Sequence, residues 1–541
     1  GFFDLNGASG FSCGVNFTVH TSHGTSCDLL LFHPDEEEPY AVIPFPESYK
    51  IGDVYSMIVY DLKAEEFEYA YRVDGPYDEK KGLLFDKTKI LLDPYAQAVA
   101  GQQVWGKKRT RTYHAKVVRD TFDWGVQPQS SREMSDLIIY ELHVRGFTQH
   151  PSSGVKHPGT FAGLKEKIPY LKELGINAVE LMPAYEFMER STVEPGKAMI
   201  RQKHHKDKVN YWGYLPGFYF APKSAYCATK KPHKEFCDMV RAFHEAGIEC
   251  IMEMYFPADT APMKALYALW FWKKYYHVDG FHLLGDGVPG ELIERDPFLY
   301  GVKKMFSDIS GQPEKENMLA EYNRGFMQDM RRLLKSDEGM VAGAQFHIKR
   351  NTGNFGTINY MASQDGFTLY DTVTYNYRHN EANGEDNHDG SDYNYSWNCG
   401  VEGASRKQAI RRLREQQLRN AFLMLLLSQG TPMIYGGDEF GNSQNGNNNA
   451  WCQDNSVGWT DWKCMKKQEK LFSFVKKAIA FRKDHPILHM PNELRSVDYM
   501  AKGFPDVSFH GERAWFLNME NTSRLIGIMY CGAYAQKPDG T

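Results

Sequence analysis

Short alternating runs of hydrophobic and polar residues fill the first part of the chain. Segments such as "VNFTVH" and "EFEYAYRVDG" show the period of two that is typical of β-strands. Gly, Pro and Asp separate these segments, and no long helical period interrupts them. The pattern therefore predicts a β-sandwich over residues 1–125.

From Leu137 onwards, buried hydrophobic runs alternate with amphipathic helical periods. "LIIYELHV" and "INAVELMPA" have the pattern of strands, and "KEFCDMVRAFHEAG" has that of a helix. Strands that alternate with helices form parallel sheets, and over residues 126–488 the economical solution is an α/β fold of the closed (β/α)₈ TIM-barrel type. In such a barrel the chemistry lies at the carboxyl ends of the strands.

Residues 489–541 return to a strand-like pattern. "RAWFLNM" and "LIGIMYCGAY" are two hydrophobic runs without a helical period. They predict the start of a C-terminal β domain.

Composition excludes several classes of protein. The 63 Lys and Arg residues against 68 Asp and Glu residues give a net charge of −5, which does not favour nucleic acid or anionic lipid. The longest apolar run, "AFLMLLLSQG", is too short to cross a membrane. We therefore expect a soluble protein.

The nine cysteines are scattered without CxxC or Cys/His spacing, so we expect free thiols, no zinc site and no cofactor. Free thiols fit a reducing compartment, and the expected location is cytoplasmic. "HNEANGEDNHDG" has oxygen ligands that could hold a cation, but its composition also fits a loop.

Several ordered motifs identify a family. "YELHVRGFT" (Tyr140–Thr148), "NYWGYLPGFYFAP" (Asn210–Pro222) and "LLLSQGTPMIYGGDEFGNSQNGNNNAWCQDN" follow one another as in the α-amylase superfamily of glycoside hydrolases. Within that superfamily the chain resembles the isoamylase and bacterial glycogen-debranching branch. The resemblance implies a starch-binding-type β-sandwich before the barrel and α-glucan as the partner, whether glycogen, starch or a maltooligosaccharide. It explains "HNEANGEDNHDG" as a loop without a metal.

The same resemblance implies a retaining mechanism, which needs a carboxylate nucleophile and a carboxylic acid about 5 Å apart. In "VDGFHLLGDG", His282 stands where the family has an Arg, and Leu284 stands where it has the nucleophilic Asp. In "KKMFSD", Ser307 occupies the position of the acid. Leucine cannot attack an anomeric carbon, and a serine hydroxyl is too weak an acid for this proton transfer.

Two more positions of the family pattern are altered and one is retained. Glu253 stands where a strand should end in Asp, and Gln364 replaces a substrate-binding His. Asp365 keeps the identity of the family's transition-state stabiliser. Asp365 has two open interpretations, as a ligand of a sugar hydroxyl or as a cap of the turn in "QDGFTL".

Displaced carboxylates are a further hypothesis. Asp286 lies two residues after Leu284 and so has the same phase along the strand, which would let it act together with Glu253. Asp286 is also flanked by two glycines, which fits an exposed turn. Glu321 is a candidate for the acid, although its segment also matches the one that follows the catalytic strand.

Aromatic residues and His282 have structural as well as functional interpretations. Tyr211, Trp212 and Tyr214 match residues that line the sugar cleft of the family, and the alternative is packing at the barrel rim. His282 could titrate in a useful range, or it could be a buried histidine with satisfied hydrogen bonds.

The sequence thus predicts a homologue of α-1,6-glucan debranching hydrolases that has lost hydrolysis. Such a protein would retain α-glucan binding or act as a noncatalytic partner of an active glucan enzyme. Two alternatives remain open: an active glycoside hydrolase that uses the displaced carboxylates Glu253 and Asp286, and a purely structural or regulatory subunit.

Overall fold

A computed structural model describes residues 1–107, 112–119, 121–125, 132–190, 208–309, 318–352 and 354–535. The chain forms two compact units. The first unit comprises residues 1–125 and the described parts of 184–201 and 215–238, and the second comprises the rest of the described chain. The predicted domain boundary at 125–126 falls next to residues 126–131, which lie outside the described residues, and the predicted three-part division remains a prediction.

The N-terminal part of the first unit consists of two antiparallel sheets. Its strands are β1 (Gly7–Phe11), β2 (Gly14–His20), β3 (Ser26–Phe32), β4 (Ala41–Pro44), β5 (Lys50–Ile51), β6 (Val54–Tyr60), β7 (Glu68–Asp74), β8 (Tyr77–Asp78), β9 (Leu83–Leu84), β10 (Ala98–Val99) and β11 (Ala115–Lys116). The sheet orders are β1-β2-β6-β5 and β10-β11-β7-β3-β4, with β8 and β9 as a separate pair. Val15, Phe17, Leu29 and Tyr69 belong to the core of this unit. The predicted β-sheet character of residues 1–125 is confirmed.

The second unit contains a closed barrel of eight parallel strands. Its strands, in barrel order, are β12 (Ile139–Leu142), β13 (Ala178–Leu181), β16 (Glu249–Tyr255), β17 (Gly280–Leu284), β18 (Lys303–Phe306), β19 (Leu319–Tyr322), β20 (Gly356–Tyr360) and β21 (Thr431–Tyr435). Between β13 and β16, the pair β14 (Tyr185–Phe187) and β15 (Gly217–Pro222) belongs to the first unit. The predicted (β/α)₈ TIM barrel is confirmed.

Helices connect the barrel strands. They are α1 (Val144–Gln149), α2 (Phe161–Lys165), α3 (Ile168–Leu174), α4 (Pro232–Glu245), α5 (Pro262–Tyr276), α6 (Gly290–Glu294), α7 (Arg324–Leu334), α8 (Met340–Lys349), α9 (Leu369–Thr372), α10 (Gln408–Leu426), α11 (Lys463–Lys467) and α12 (Glu469–Asp484). The continuous helical pattern of "TFAGLKEKIPYLKELG" is broken between α2 and α3. Pro169 explains the break, because proline has no N–H to donate and its ring clashes with the preceding turn.

The C-terminal residues contain the antiparallel pair β22 (Val507–His510) and β23 (Gly527–Tyr530). The predicted strand in "LIGIMYCGAY" is confirmed as β23. The predicted strand in "RAWFLNM" is wrong, because Arg513 and Phe516 only form an isolated bridge with each other across a tight turn.

Two features expected from the composition concern the cysteines and the hydropathy of the helices. All nine cysteines are free thiols. Among the described helices, none combines the length and the hydropathy that a bilayer-spanning segment needs.

Candidate functional site in the barrel

The inward-facing side chains of the barrel form successive layers. One layer is apolar and includes Ile139, Ala178, Ile251 and Met305, and the next layer toward the carboxyl ends of the strands is the upper layer. Side chains two residues further along a strand point to the same face. Each strand therefore places its next inward residue one layer closer to the carboxyl ends, where the active sites of TIM-barrel enzymes lie.

Leu284 and Ser307 are the next positions of the inward-facing series on β17 and β18, at the mouth of the barrel. Leu284 is the last residue of β17, partly exposed, and it is paired with Tyr255 of β16. Ser307 follows the last residue of β18 and is exposed. The two positions that the sequence comparison assigned to the nucleophile and the acid thus lie at the ends of neighbouring strands, and neither has a carboxyl group.

The candidate carboxylates Asp286 and Glu321 point elsewhere. Asp286 is exposed in the turn after β17. Glu321 lies on β19 next to Tyr322, whose ring belongs to the barrel core, so Glu321 faces the opposite side of the strand. There its carboxylate accepts a hydrogen bond from the Ile309 backbone N–H at 3.2 Å and lies 3.9 Å from the Arg350 guanidinium. The Glu321 side chain is therefore not aimed into the barrel, as the role of a displaced acid would require.

Asp365 lies in an exposed bend after β20. The cap of the next helix, α9, is Thr368, whose hydroxyl accepts a hydrogen bond from the Asp371 backbone N–H at 3.1 Å. Because Thr368 has this role, the helix-capping interpretation of Asp365 is the weaker one. The neighbouring Gln364 donates from Nε2 to the Tyr214 hydroxyl at 2.7 Å.

The aromatic motif "NYWGY" is largely buried. Tyr211 is 2% exposed, stacks on His143 with ring centroids 4.0 Å apart, and donates its hydroxyl to the Gly458 carbonyl at 3.0 Å. Trp212 is 8% exposed and packs edge-on against Tyr214. A ring that binds a sugar must expose a face, so the packing interpretation suits Tyr211 best and also suits Trp212.

Four ionisable side chains meet in the upper layer of the barrel, and sequence reasoning missed two of them. Glu141 on β12 is paired in register with Glu180 on β13, and Glu253 on β16 is paired with His282 on β17. All four are buried. The sequence held one sign of this cluster: each of three hydrophobic strand patterns contains a Glu, and buried strand positions normally exclude charged residues.

Hydrogen bonds connect this cluster. His282 donates from Nδ1 to Glu180 Oε1 at 2.7 Å, and the Tyr322 hydroxyl donates to Glu180 Oε2. The Tyr322 ring also stacks on His282 with centroids 4.0 Å apart. Tyr214 donates its hydroxyl to Glu253 Oε2 at 2.5 Å. Gln364 accordingly belongs to the same network, through Tyr214.

Burial and neighbouring charges favour the neutral form of Glu141 and Glu253. Burial raises the pKa of Glu141 well above its usual range, and the charges of Glu253 and Glu180 raise this pKa further. Burial and then the charge of Glu180 raise the pKa of Glu253 in the same way. Like charges in a site of low dielectric therefore oppose one another here.

The polar loop "HNEANGEDNHDG" is held by amide hydrogen bonds. Asn383 and Asn449 both donate to Asp389 Oδ2, at 2.7 and 2.8 Å. Asn447 donates to Asn383 Oδ1 at 2.9 Å. These bonds join two asparagine-rich loops through Asp389 Oδ2 and Asn383 Oδ1.

Comparisons with known proteins agree with this fold. Residues 7–96 match carbohydrate-binding module 48, the isoamylase N-terminal domain. Isoamylase 1, chloroplastic, of Arabidopsis thaliana is 31% identical over 95% of this chain and 78% of its own length. The glycogen operon protein GlgX homolog of Haemophilus influenzae is 31% identical over 87% of this chain and 82% of its own.

Solved structures show the same fold at lower identity. The catalytic module of the glycogen-degrading pneumococcal virulence factor SpuA has a TM-score of 0.73 and 16% identity, and the match covers 100% of this chain and 88% of that module. Pullulanase from Paenibacillus barengoltzii, solved with maltohexaose and α-cyclodextrin, has a TM-score of 0.66 and 19% identity over 90% of this chain and 81% of its own. The chain therefore belongs to the isoamylase and GlgX family, in the debranching branch of the α-amylase superfamily.

Proposed function

We propose that this member of the family binds α-glucan without hydrolysing it. The observation that carries the proposal is Leu284 at the end of β17, in the position of the family's nucleophile. Ser307 at the end of β18 supports it, because the general acid is replaced as well. A retaining glycosidase needs both carboxyl groups, one on each side of the scissile bond.

The alternative of displaced carboxylates has less support. Glu180 and Glu253 are close to each other, but each is only 1% exposed and lies below the barrel mouth. An anomeric carbon must contact the nucleophile, and a carboxyl group enclosed by Tyr214 and Tyr322 offers no such approach. Asp286 is accessible, but its turn is not part of the buried cluster.

The first prediction is that the purified protein releases no reducing ends from glycogen, pullulan or amylopectin above the rate in buffer. Leu284→Asp alone is expected to remain inactive, because Ser307 and His282 still occupy the positions of the acid and the orienting Arg. Members of such a catalytic unit are not additive, so one restored group gives no measurable rate. Turnover by the wild type that Glu253→Gln or Asp286→Asn abolishes would contradict the proposal and favour displaced carboxylates.

We propose two places where glucan binds. One is Asp365 in the barrel, and the other is the module-48 region, residues 7–96 of the first unit. In the module-48 region Tyr40 is 46% exposed and stacks on His33 with centroids 4.3 Å apart. Both residues line a surface cavity of about 540 Å³ whose other walls include Lys63 and Glu66. An aromatic face beside charged hydrogen-bonding groups suits a sugar ring, which has apolar faces and a polar edge.

The second prediction concerns this surface. We expect retardation of the intact protein in amylopectin or glycogen gels, with a dissociation constant for a maltooligosaccharide in the high micromolar to millimolar range, about −4 to −6 kcal/mol. Loss of about 50 Å² of buried ring face costs about 1.2 kcal/mol, so Tyr40→Ala should weaken binding about eightfold. Tyr77→Ala is the matched control, because Tyr77 is an exposed tyrosine of the same unit outside the cavity.

The outcomes separate the remaining hypotheses. Unretarded migration of the wild type would overturn glucan binding and favour a noncatalytic partner of an active glucan enzyme or a structural or regulatory subunit. Retardation that Tyr40→Ala leaves unchanged and Asp365→Ala abolishes would place the sugar in the barrel alone. Trp212→Ala is a test of folding rather than of sugar contact, because the ring is 8% exposed.

A further inference from the structure

Three side chains of the upper barrel layer have the chemistry and the spacing of a metal site. Glu180, Glu253 and His282 each bring one ligand atom, and these atoms lie within 4.8 Å of one another. Metal–oxygen and metal–nitrogen bonds of about 2.0–2.2 Å place ligands on opposite sides of an ion about 4.4 Å apart. Small side-chain rotations therefore bring all three atoms within bonding distance of one ion.

Two atoms of the cluster are buried without a hydrogen bond. Glu253 Oε1 and His282 Nε2 have no partner among the described residues. Glu253 is 1% exposed and His282 is 7% exposed, so water is largely excluded from them. An unsatisfied buried polar atom costs about 1–3 kcal/mol. A cation in the cluster would satisfy the lone pair of Glu253 Oε1.

His282 and Glu180 already lie about as close together as two ligands of one ion. Nδ1 of His282 and Oε1 of Glu180 are 2.7 Å apart and share one proton, and adjacent ligands with bonds of about 2.1 Å lie about 3 Å apart. An ion that binds both atoms takes the place of this proton, so Nδ1 offers its lone pair and the proton of the neutral ring is carried on Nε2. The stacked Tyr322 ring holds the imidazole from its face.

The composition of the cluster also favours a cation. The carboxyl groups of Glu141, Glu180 and Glu253 are buried together on three neighbouring strands. Glu141 Oε2 is a further buried atom without a partner among the described residues. A divalent ion would offset two carboxylates.

We propose that the barrel interior binds one divalent transition-metal ion through Glu180, Glu253 and His282. Two carboxylates and one imidazole suit Zn²⁺ or Mn²⁺, whereas Ca²⁺ and Mg²⁺ prefer oxygen ligands alone. The ion has a structural role, since it joins β13, β16 and β17 below the barrel mouth. This inference does not depend on glucan binding or on the absence of hydrolysis.

The test begins with the full chain produced in medium that contains Zn²⁺ and Mn²⁺. Mass spectrometry of the metal content should find about one equivalent of one of these ions per chain, and a chelator should lower the melting temperature. Adding back Zn²⁺ or Mn²⁺ should restore that temperature, and Ca²⁺ or Mg²⁺ should not. A chain that folds with a negligible metal content, and whose melting temperature none of the ions changes, would overturn the proposal in favour of a protonated cluster.

Variants and crystallography locate the ion. Glu253→Gln and His282→Gln should weaken Zn²⁺ binding at least tenfold, while Glu321→Gln, a glutamate on the outer face of β19, should leave it unchanged. If a variant fails to fold, a wild-type crystal measured at the zinc absorption edge still decides. An anomalous peak between Glu180, Glu253 and His282 supports the site, and peaks only at surface histidines overturn it.

Discussion

Lys223→Met is expected to destabilise the first unit by about 3–5 kcal/mol, because it leaves two buried carboxylates without their cation. Lys223 Nζ lies 2.6 Å from Glu186 Oε1 and 2.7 Å from Glu189 Oε1. It also donates to the Phe187 carbonyl at 2.9 Å. The lysine is fully buried, and the two glutamates are at most 4% exposed. Hydrogen exchange of the amides in β15 would measure the loss.

The protonation of this group follows from its partners. Burial alone lowers the pKa of Lys223, but the charges of Glu186 and Glu189 outweigh burial and raise this pKa above its ordinary value. Lys223 is therefore charged at neutral pH, and its removal is a removal of charge. The combined variant Lys223→Met, Glu186→Gln, Glu189→Gln should recover most of the stability, since replacing a whole buried network is often neutral.

A matched control is available in the same unit. Lys63 forms a surface pair with Glu66 at 3.0 Å, and its side chain is 74% exposed. Lys63→Met should change the stability by less than about 1 kcal/mol, because exposed pairs are screened by solvent. Equal effects of Lys63→Met and Lys223→Met would contradict the interpretation of Lys223 as a buried ion-pair centre.

The barrel was predictable from the sequence because each of its strands leaves a local pattern. A run such as "IECIMEMYF" is buried on both faces, and the helix before it carries an amphipathic period, so neighbouring residues alone define α4 and β16. The strand predicted in "RAWFLNM" failed for the opposite reason. Hydrophobic residues there are exposed in a turn, with Trp515 57% exposed, and only a partner strand could have distinguished the two cases.

The candidate site was predictable only in part. Leu284 and Ser307 could be placed because family motifs fix their positions along the strands. The cluster of Glu141, Glu180 and Glu253 could not, since it depends on the register of strands that lie up to about 110 residues apart in the chain. Spacing rules for metal ligands examine close neighbours in sequence, and the side chains that surround His282 are close only in space.

The aromatic motif shows a second limit of the sequence. Tyr211 and Trp212 match residues that line a sugar cleft, but the same letters also describe a packed wall. Whether a ring faces solvent depends on what lies above it, and for Tyr211 this is the His143 ring and the loop that carries Gly458. Neither neighbour can be inferred from the motif.

His143→Asn should remove a pH-dependent part of the stability of the second unit. Burial lowers the pKa of His143 from 6.5 to about 4, and its hydrogen bond to the Tyr211 carbonyl offsets only part of that decrease. Between pH 6.5 and about 4 the unfolded chain therefore binds more protons than the folded chain. The stability that the neutral His143 ring provides is complete above pH 6.5 and is lost as the pH falls through this window. At about 1.4 kcal/mol for each unit of pKa, the full loss is about 3 kcal/mol.

The contacts of His143 explain why only the neutral ring fits. Nδ1 accepts a hydrogen bond from the Gly146 backbone N–H at 2.9 Å, which caps α1, and Nε2 donates to the Tyr211 carbonyl at 2.7 Å. A second ring proton would have to replace the lone pair that accepts from Gly146. The charges of Asp454 and Arg145 act on this ring in opposite directions, so they do not supply a stable countercharge.

The measurement is hydrogen exchange of the α1 amides from pH 4 to 7.5, with the free energy of opening corrected for the intrinsic exchange rate at each pH. The difference between wild type and His143→Asn should shrink as the pH falls, since the wild type loses its advantage when the imidazole must be protonated. His388→Asn is the control, because it removes an exposed histidine of the same unit and leaves the buried imidazole in place. A difference that stays constant across this pH range would mean that His143 stabilises the fold by packing and capping alone, without the linkage to protons that its burial implies.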